Sequence, residues 1–404
     1  MDLLQTIREK GVSRPRPFDD AEYARRFKAV KERMAADGLD VLICANTASI
    51  GYLTGYDVTM PSGYSNLVVA ADGTTTMHCS EIEAIALLES GKVDNVEIFD
   101  WWKSQSTGDD LVRILEEQGH GGGKRIGIEL GVAESFSVGA FDARSFIALQ
   151  RGLPQAEFVD ATLLVMGIRE IKTAAELEYM RIAGTYTWAG LRAGADAVGA
   201  DVPDNIVAAA TFAGTLAAGS ELMSIDPMVI SGPRTGYVPH AVFRRDTPGP
   251  NEPVYFESTG THHRYNAPSM RTVCTGKPSE EVERMADATI NTLTYLIENI
   301  KPGKPCDELA RETEKLGVGG PDIYYQGYFG YSVGMGYQPT WTEAPLYIVA
   351  GSDRVLEPGM CFHLVELFQV PGGRGVGFSE TVAVTDTGCE VLTPMENLEL
   401  VIKQ

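Results

Sequence analysis

The sequence predicts two domains of different class, an α/β domain over residues 1–165 followed by an α+β domain over residues 166–404. Three observations carry this. Up to residue 164, strand-like and helix-like patterns alternate one by one. Beyond residue 166, long helical stretches flank paired, strongly alternating strand patterns. The composition of the 404 residues, 44% apolar and 22% charged, is that of a globular chain with material for two or three domains.

Each element has a local reason. Asp19 or Asp20 can cap a helix whose apolar stripe is Tyr23, Phe27, Val30 and Met34, closed by Gly38. DVLICA then reads as a buried strand, and SNLVVAA with TTTMHCS as a hairpin about Asp72-Gly73. SEIEAIALLES, DDLVRILEEQG and FDARSFIALQRGL read as helices, and VEIFDW, KRIGIEL and AEFVDA as strands, which implies a mainly parallel sheet covered by helices. In the second domain, Thr173 and Glu176 form a capping box that starts a helix to about Ala195, with Leu177, Met180, Ile182, Tyr186, Trp188 and Leu191 expected inward. VYFESTGTHHRYNAPSMRTVCTG reads as two antiparallel strands. Residues 278–300 form a further helix, and MCFHLVELFQV and GFSETVAVTD are late strands.

Charge narrows the function classes. With 34 Lys and Arg against 55 Asp and Glu, the net charge is −21, which opposes binding to nucleic acid or to an anionic membrane. No run reaches 18 uncharged apolar residues, and the first residues lack the apolar core of a secretory signal, so a cytoplasmic protein is expected. The six cysteines are dispersed without a CxxC and are expected to be small buried hydrophobes.

Four residues of the second domain stand out: His240 in a turn-rich loop, Glu257 in VYFESTG, His363 in CFHLV and Glu380 in GFSETV. An imidazole or carboxylate inside a strand pattern is costly to bury unless paired. Together they could form an acid–base set or a metal site. His262-His263 and the GGGK run at 121–124 read as turn and loop. The Gly-rich aromatic stretch 324–341 and the loop 54–64 could line a pocket.

The chain also carries the signposts REIKTAAELEYMR at 169–181, Arg271-Thr272, Lys301-Pro-Gly and LEPGM at 356–360. With these it resembles the creatinase/aminopeptidase P/prolidase family, with a creatinase-like N-terminal domain and a pita-bread catalytic domain. The metallopeptidases of that family bind two metal ions through five side chains. Counted from the signposts, those positions hold Glu257, Pro268, Tyr331, Val365 and Glu380. Pro, Tyr and Val cannot replace the missing ligands at neutral pH, and Glu366 should point to the other face of its strand. No metal and no other cofactor is therefore expected. The resemblance leaves two metal-free branches, ectoine hydrolase and creatinase. FESTGTHHRYNAPSMRTV, GMCFH, the Gly-Tyr-x-x-Gly loop and the Ser-Glu-Thr at 379–381 are similar to the former. Met270 and Val365 stand where creatinase has substrate-binding Glu, which disfavours creatine.

The function expected is metal-independent hydrolysis of a C–N bond in a small cyclic amidine, amide or guanidino compound. His240, Glu257, His363 and Glu380 are the catalytic candidates. Glu257 and Glu380 would hold or attack the amidinium, His240 would shuttle protons, and His363 would bind the tetrahedral centre or orient Glu380. Tyr331, Trp341, Tyr56 and Tyr265 would contact substrate. The alternatives are a creatinase-type amidinohydrolase on another guanidino acid and a non-catalytic pita-bread binding module. By resemblance the partners are a small-molecule substrate and a second copy in a homodimer.

Overall fold

The computed structural model describes residues 3–11, 14–59, 63–100, 102, 106–131, 141–237, 242–316, 322–393 and 398–403. They fall into two compact units, Met1–Arg169 and Glu170–Gln404.

The first unit holds helices α1 (Leu3–Lys10), α2 (Asp20–Ala36), α3 (Thr47–Thr54), α4 (Glu81–Ser90), α5 (Thr107–Glu117), α6 (Ala143–Gly152) and α7 (Thr162–Arg169). Its strands are β1 (Val41–Cys44), β2 (Ser65–Ala70), β3 (Thr75–Ser80), β4 (Asn95–Phe99), β5 (Arg125–Ile128) and β6 (Glu157–Asp160), ordered β4-β3-β2-β1-β5-β6. The outer pairs and β1–β5 are parallel, while β2 runs antiparallel to β1 and, because the Asp72-Gly73 hairpin turns the chain straight back, to β3. Asp19 caps α2 as expected, accepting from the Glu22 N–H. The stripe differs at one position, where Arg26 rather than Phe27 is buried; its guanidinium lies against the rings of Phe18 and Tyr52 and donates to the Tyr52 carbonyl. Helix α3 was hidden from the sequence by its short length, but Asn46 caps it by accepting from Ala48 and Ser49. Short α7 likewise follows the last strand where only a domain join was expected.

The second unit begins with α8 (Ala174–Ala197) and α9 (Asp204–Ala217), followed by β7 (Met228–Ser231), β8 (Pro253–His262) and β9 (Tyr265–Cys274). Then come α10 (Glu280–Asn299), α11 (Cys306–Glu314), β10 (Tyr331–Tyr337), β11 (Thr340–Tyr347), β12 (Cys361–Gln369), β13 (Gly375–Val384), β14 (Cys389–Val391) and β15 (Val401–Ile402). The sheet order is β11-β10-β12-β13-β9-β8-β7, with β10 also reaching β9, so the sheet curves. The Thr173–Glu176 capping box is present at the start of α8. Met180 and Leu191 are buried as expected, but the rest of its buried face is Glu176, Ala183, Gly184, Thr187, Gly190 and Gly194, while Leu177, Ile182, Tyr186 and Trp188 are only partly buried. Small residues let the helix lie close to the sheet. A Cβ on Gly260 of β8 would sit 2.3 Å from the Ala183 carbonyl oxygen. Helices α8 and α9 cover Val254, Phe256 and Val273, and α10 covers Phe362, Leu364, Phe378 and Val382. Helices α8 to α11 thus pack on one face of the sheet, and the other face carries the site.

The six cysteines are free and five are buried, in accord with their reading as small hydrophobes. Among the described residues, no helix is long and apolar enough to cross a membrane.

Candidate active site

Strand alternation decides which side chains reach the uncovered face. In β12–β13, His363 pairs with Thr381, Leu364 with Glu380, Val365 with Ser379 and Glu366 with Phe378. Ser379 pairs in turn with Met270, and Met270 with Glu257. Glu257, Met270, Ser379, Val365 and His363 therefore share one face, opposite the helices. Leu364, Glu366, Phe378 and Glu380 share the other. Tyr331 at the start of β10 pairs with His363 and joins the first set.

On that face, Glu257 and His363 are brought together, with Oε1 3.7 Å from Nε2. Burial pushes the Glu257 carboxyl up to about 8. Burial, assisted by the Arg271 guanidinium, pushes His363 down to about 3. At neutral pH both are uncharged, so the contact is not an ion pair. Both imidazole nitrogens are engaged: Nδ1 lies 2.8 Å from the Tyr331 hydroxyl and Nε2 lies 2.6 Å from the Ser379 hydroxyl. Trp341 Nε1–H donates to the same Tyr331 oxygen at 2.8 Å. Tyr328 and Tyr347 pack at steep angles against Tyr331, with ring centroids 6.2 and 6.5 Å away, and all three tyrosines keep partial exposure. A half-exposed, Tyr-lined wall over a buried carboxyl is a suitable seat for a planar cation or an amide.

Several expectations are corrected. Glu380 faces the helices, not the site. Its carboxylate is clamped by the Arg271 guanidinium on one oxygen and accepts from Thr393 on the other. The strand period places Ser379, not Glu380, beside Glu257. His363 therefore cannot orient Glu380 across the sheet, and with both nitrogens occupied it has none left for substrate. Tyr265 lies on the helix side, where its hydroxyl donates to Glu176 at 2.7 Å. Tyr56 is buried in the first unit with its hydroxyl donating to Glu83, so it offers no free group there. Trp341 is 2% exposed and acts behind Tyr331 rather than as pocket wall. Glu366 points away from the site, as expected. His240 lies outside the described residues. Ser379 and Tyr347 were missed by sequence reasoning, whereas Tyr328 falls within the aromatic stretch 324–341 read as a possible pocket wall. Counting alternate residues along GFSETV from the neighbouring strand would have found Ser379; nothing local marks Tyr347.

The five positions expected to hold metal in related enzymes can now be tested by donor chemistry. On the site face they present Glu257, Pro268, Tyr331, Val365 and, by alternation, Ser379. One carboxyl, itself neutral at pH 7, does not fit a dinuclear centre. Among the described residues, no group of three His, Cys, Asp or Glu side chains could hold a metal ion.

Comparison with known proteins agrees with this architecture. The chain is 30% identical to the uncharacterized hydrolase/peptidase y4tM of Sinorhizobium fredii, across 96% of this chain and 98% of that one. It is 27% identical to the ectoine hydrolase of Halomonas elongata, across 93% of this chain and 96% of that one. Among solved structures, a prolidase from Thermococcus sibiricus superposes with a TM-score of 0.81 at 18% identity, covering 94% of this chain and 99% of that one. Dipeptidase PepE of Mycobacterium ulcerans gives 0.78 at 22% identity, covering 95% and 99%. Residues 26–171 match the creatinase/prolidase N-terminal domain, and residues 178–386 match metallopeptidase family M24. The α/β first unit is thus the creatinase-type N-terminal domain, the second is a pita-bread domain, and the chain belongs to the M24 family of hydrolases.

Proposed function

We propose that the protein hydrolyses a C–N bond in a small cyclic amidine, cyclic amide or guanidino compound without a catalytic metal, in the manner of ectoine hydrolase. The observation that carries this reading is the buried carboxyl of Glu257, set beside a neutral imidazole near a tyrosine cluster, on a face where the paired strand positions among the described residues present no second carboxylate. A lone carboxyl suits recognition of, or attack on, one planar electrophilic carbon. The likeness to the Halomonas elongata enzyme over nearly the whole chain supports the same class.

Glu257 takes the central role. Its proton is held by burial in the free protein. An incoming amidinium replaces that proton as the partner of the carboxylate, and binding releases it. The carboxylate then either orients the cation through charge-assisted hydrogen bonds or adds to its carbon. His240 remains the proposed proton shuttle between water and the leaving nitrogen, since an ordinary imidazole titrates near 6.5. His363 holds its neighbours in place and moves no proton at neutral pH. The domain boundary near residue 165, the cytoplasmic setting and a homodimer are part of the same proposal.

The test is mass spectrometry on chelator-treated protein with ectoine, creatine and a panel of cyclic amidines, lactams and hydantoins. Gain of one water on one compound, lost in Glu257→Gln and His240→Ala, is expected. Activity on a dipeptide that returns only with manganese or zinc would overturn the reading and return the protein to the peptidases.

A further inference from the structure

The hydrogen bonds around Tyr331 can be satisfied in only two ways, and burial separates them. The indole N–H of Trp341 can only donate, so the Tyr331 oxygen accepts it. A neutral His363 carries one ring proton, on Nδ1 or on Nε2. If Nε2 carries it, His363 donates to Ser379 and Tyr331 donates to Nδ1. The Ser379 hydroxyl hydrogen is then left without an acceptor among the described residues, on a side chain that is 0% exposed. If Nδ1 carries it, Ser379 donates to Nε2, and Nδ1–H donates to Tyr331. Both lone pairs of the phenol oxygen are then filled, by Trp341 and His363, and the one donor left over is the Tyr331 O–H. Tyr331 keeps partial exposure while Ser379 has none, so of the two side chains only that of Tyr331 reaches the open side of the sheet. A buried donor without a partner is costly, whereas a donor facing a pocket is not.

The geometry points to Tyr331 as the hydrogen-bond donor of the site, with its phenolic O–H aimed at the bound ligand and its oxygen fixed from behind by Trp341 and the Nδ1–H tautomer of His363. This makes Tyr331 more than a wall. Two incoming hydrogen bonds polarise the O–H and strengthen it as a donor. The phenol keeps its proton throughout. Its partner is a ligand atom with a lone pair, a carbonyl oxygen or an amide or amidine nitrogen, on which electron density builds as the neighbouring carbon becomes tetrahedral. Trp341, His363 and Ser379 are positioning residues that act through it. The use assigned to the donor rests on the proposed hydrolysis; its direction does not.

The resting protein gives the first test. Long-range proton–nitrogen NMR of the imidazoles reads the tautomer of each histidine without substrate. The His363 signal is identified as the one displaced in both Tyr331→Phe and Ser379→Ala. Protonation at Nδ1 is expected; protonation at Nε2 overturns the inference whatever the protein hydrolyses. The second test uses whichever panel compound is turned over. Tyr331→Phe keeps the ring and should lower kcat by roughly 100–1000-fold with KM within about threefold, as for loss of one preorganised donor. Trp341→Phe, which removes one bond behind it, should cost several-fold. Full kcat in Tyr331→Phe would overturn the donor role. Failure of every panel compound would overturn the proposed substrate class instead, and leave the tautomer to decide the direction.

Discussion

Replacing Glu257 with Gln should make the protein more stable at alkaline pH, by an amount the site dictates. Burial raises the carboxyl from an ordinary 4.5 to about 8. The folded protein therefore holds this proton more tightly than the unfolded chain. By linkage, stability is greatest below the unfolded value, falls as pH rises from about 4.5 to about 8, and is level beyond. At 1.36 kcal/mol per pH unit, the whole interval is worth about 5 kcal/mol, and the part between pH 5.5 and pH 9 about 3 kcal/mol. Gln cannot ionise and keeps the shape of the neutral acid. Urea unfolding of both proteins at pH 5.5 and pH 9 gives the two stability differences. Burial also raises Glu129 and Glu366, but these are common to both proteins and cancel. The variant should gain roughly 3 kcal/mol on the wild type between the two pH values. A difference that stays constant within about 0.5 kcal/mol would mean that Glu257 is not a buried neutral acid, and the argument built on it would fail.

Three further outcomes are expected. Binding of a cationic amidine should tighten about tenfold per pH unit from pH 6 to pH 8 and then level, with close to one proton released per ligand at pH 7, read by calorimetry in buffers of different ionisation heat; proton uptake would contradict this. Glu380→Gln should leave kcat of the folded protein within about threefold, because the side chain faces the helices, while costing roughly 3–5 kcal/mol by leaving the Arg271 guanidinium buried without its counter-charge; a catalytic loss without a stability loss would return Glu380 to the site. Gly260→Ala should cost about 1–3 kcal/mol, since its Cβ would meet the Ala183 carbonyl of α8 and the strand or helix must shift, as thermal unfolding would record.

Much of the fold was legible because local signals agreed with one another. The Asp19 cap, the Asp72-Gly73 hairpin, the Thr173 capping box and the β8–β9 pair all appear where the residues place them. Reading failed where a long-range partner decides. Helix α8 buries glycines and alanines because a sheet lies close against it, and no pattern within the helix announces that neighbour. Arg26 is buried because Phe18 and Tyr52, far apart in sequence, close over its guanidinium. At the site, Glu257 and His363 were singled out by their unusual residue type in an apolar context, and Tyr331 by its place in the Gly-Tyr-x-x-Gly loop of the resemblance. Glu380 was misplaced because its type is equally unusual while its side chain points the other way. Only the register of β13 against β12 and β9 separates it from Ser379. Tyr56 and Tyr265 were read as pocket residues from type alone, yet Glu83 and Glu176 already hold their hydroxyls.

The parity of β13 has a consequence for how such a protein can change. Odd and even positions of the strand answer to different masters. Glu380 ties β13 to Arg271 of β9 and to Thr393, and so holds the scaffold together from the helix side. The side chain of Ser379, the adjacent residue, engages His363 on the other face, while its backbone carbonyl accepts from Ser269 and Arg271. A side-chain substitution at Ser379 leaves the clamp on Glu380 in place, because Arg271 reaches Ser379 only through its backbone carbonyl. The pita-bread sheet can thus exchange one chemistry for another by rewriting alternate letters of five strands, while the intervening letters preserve the fold.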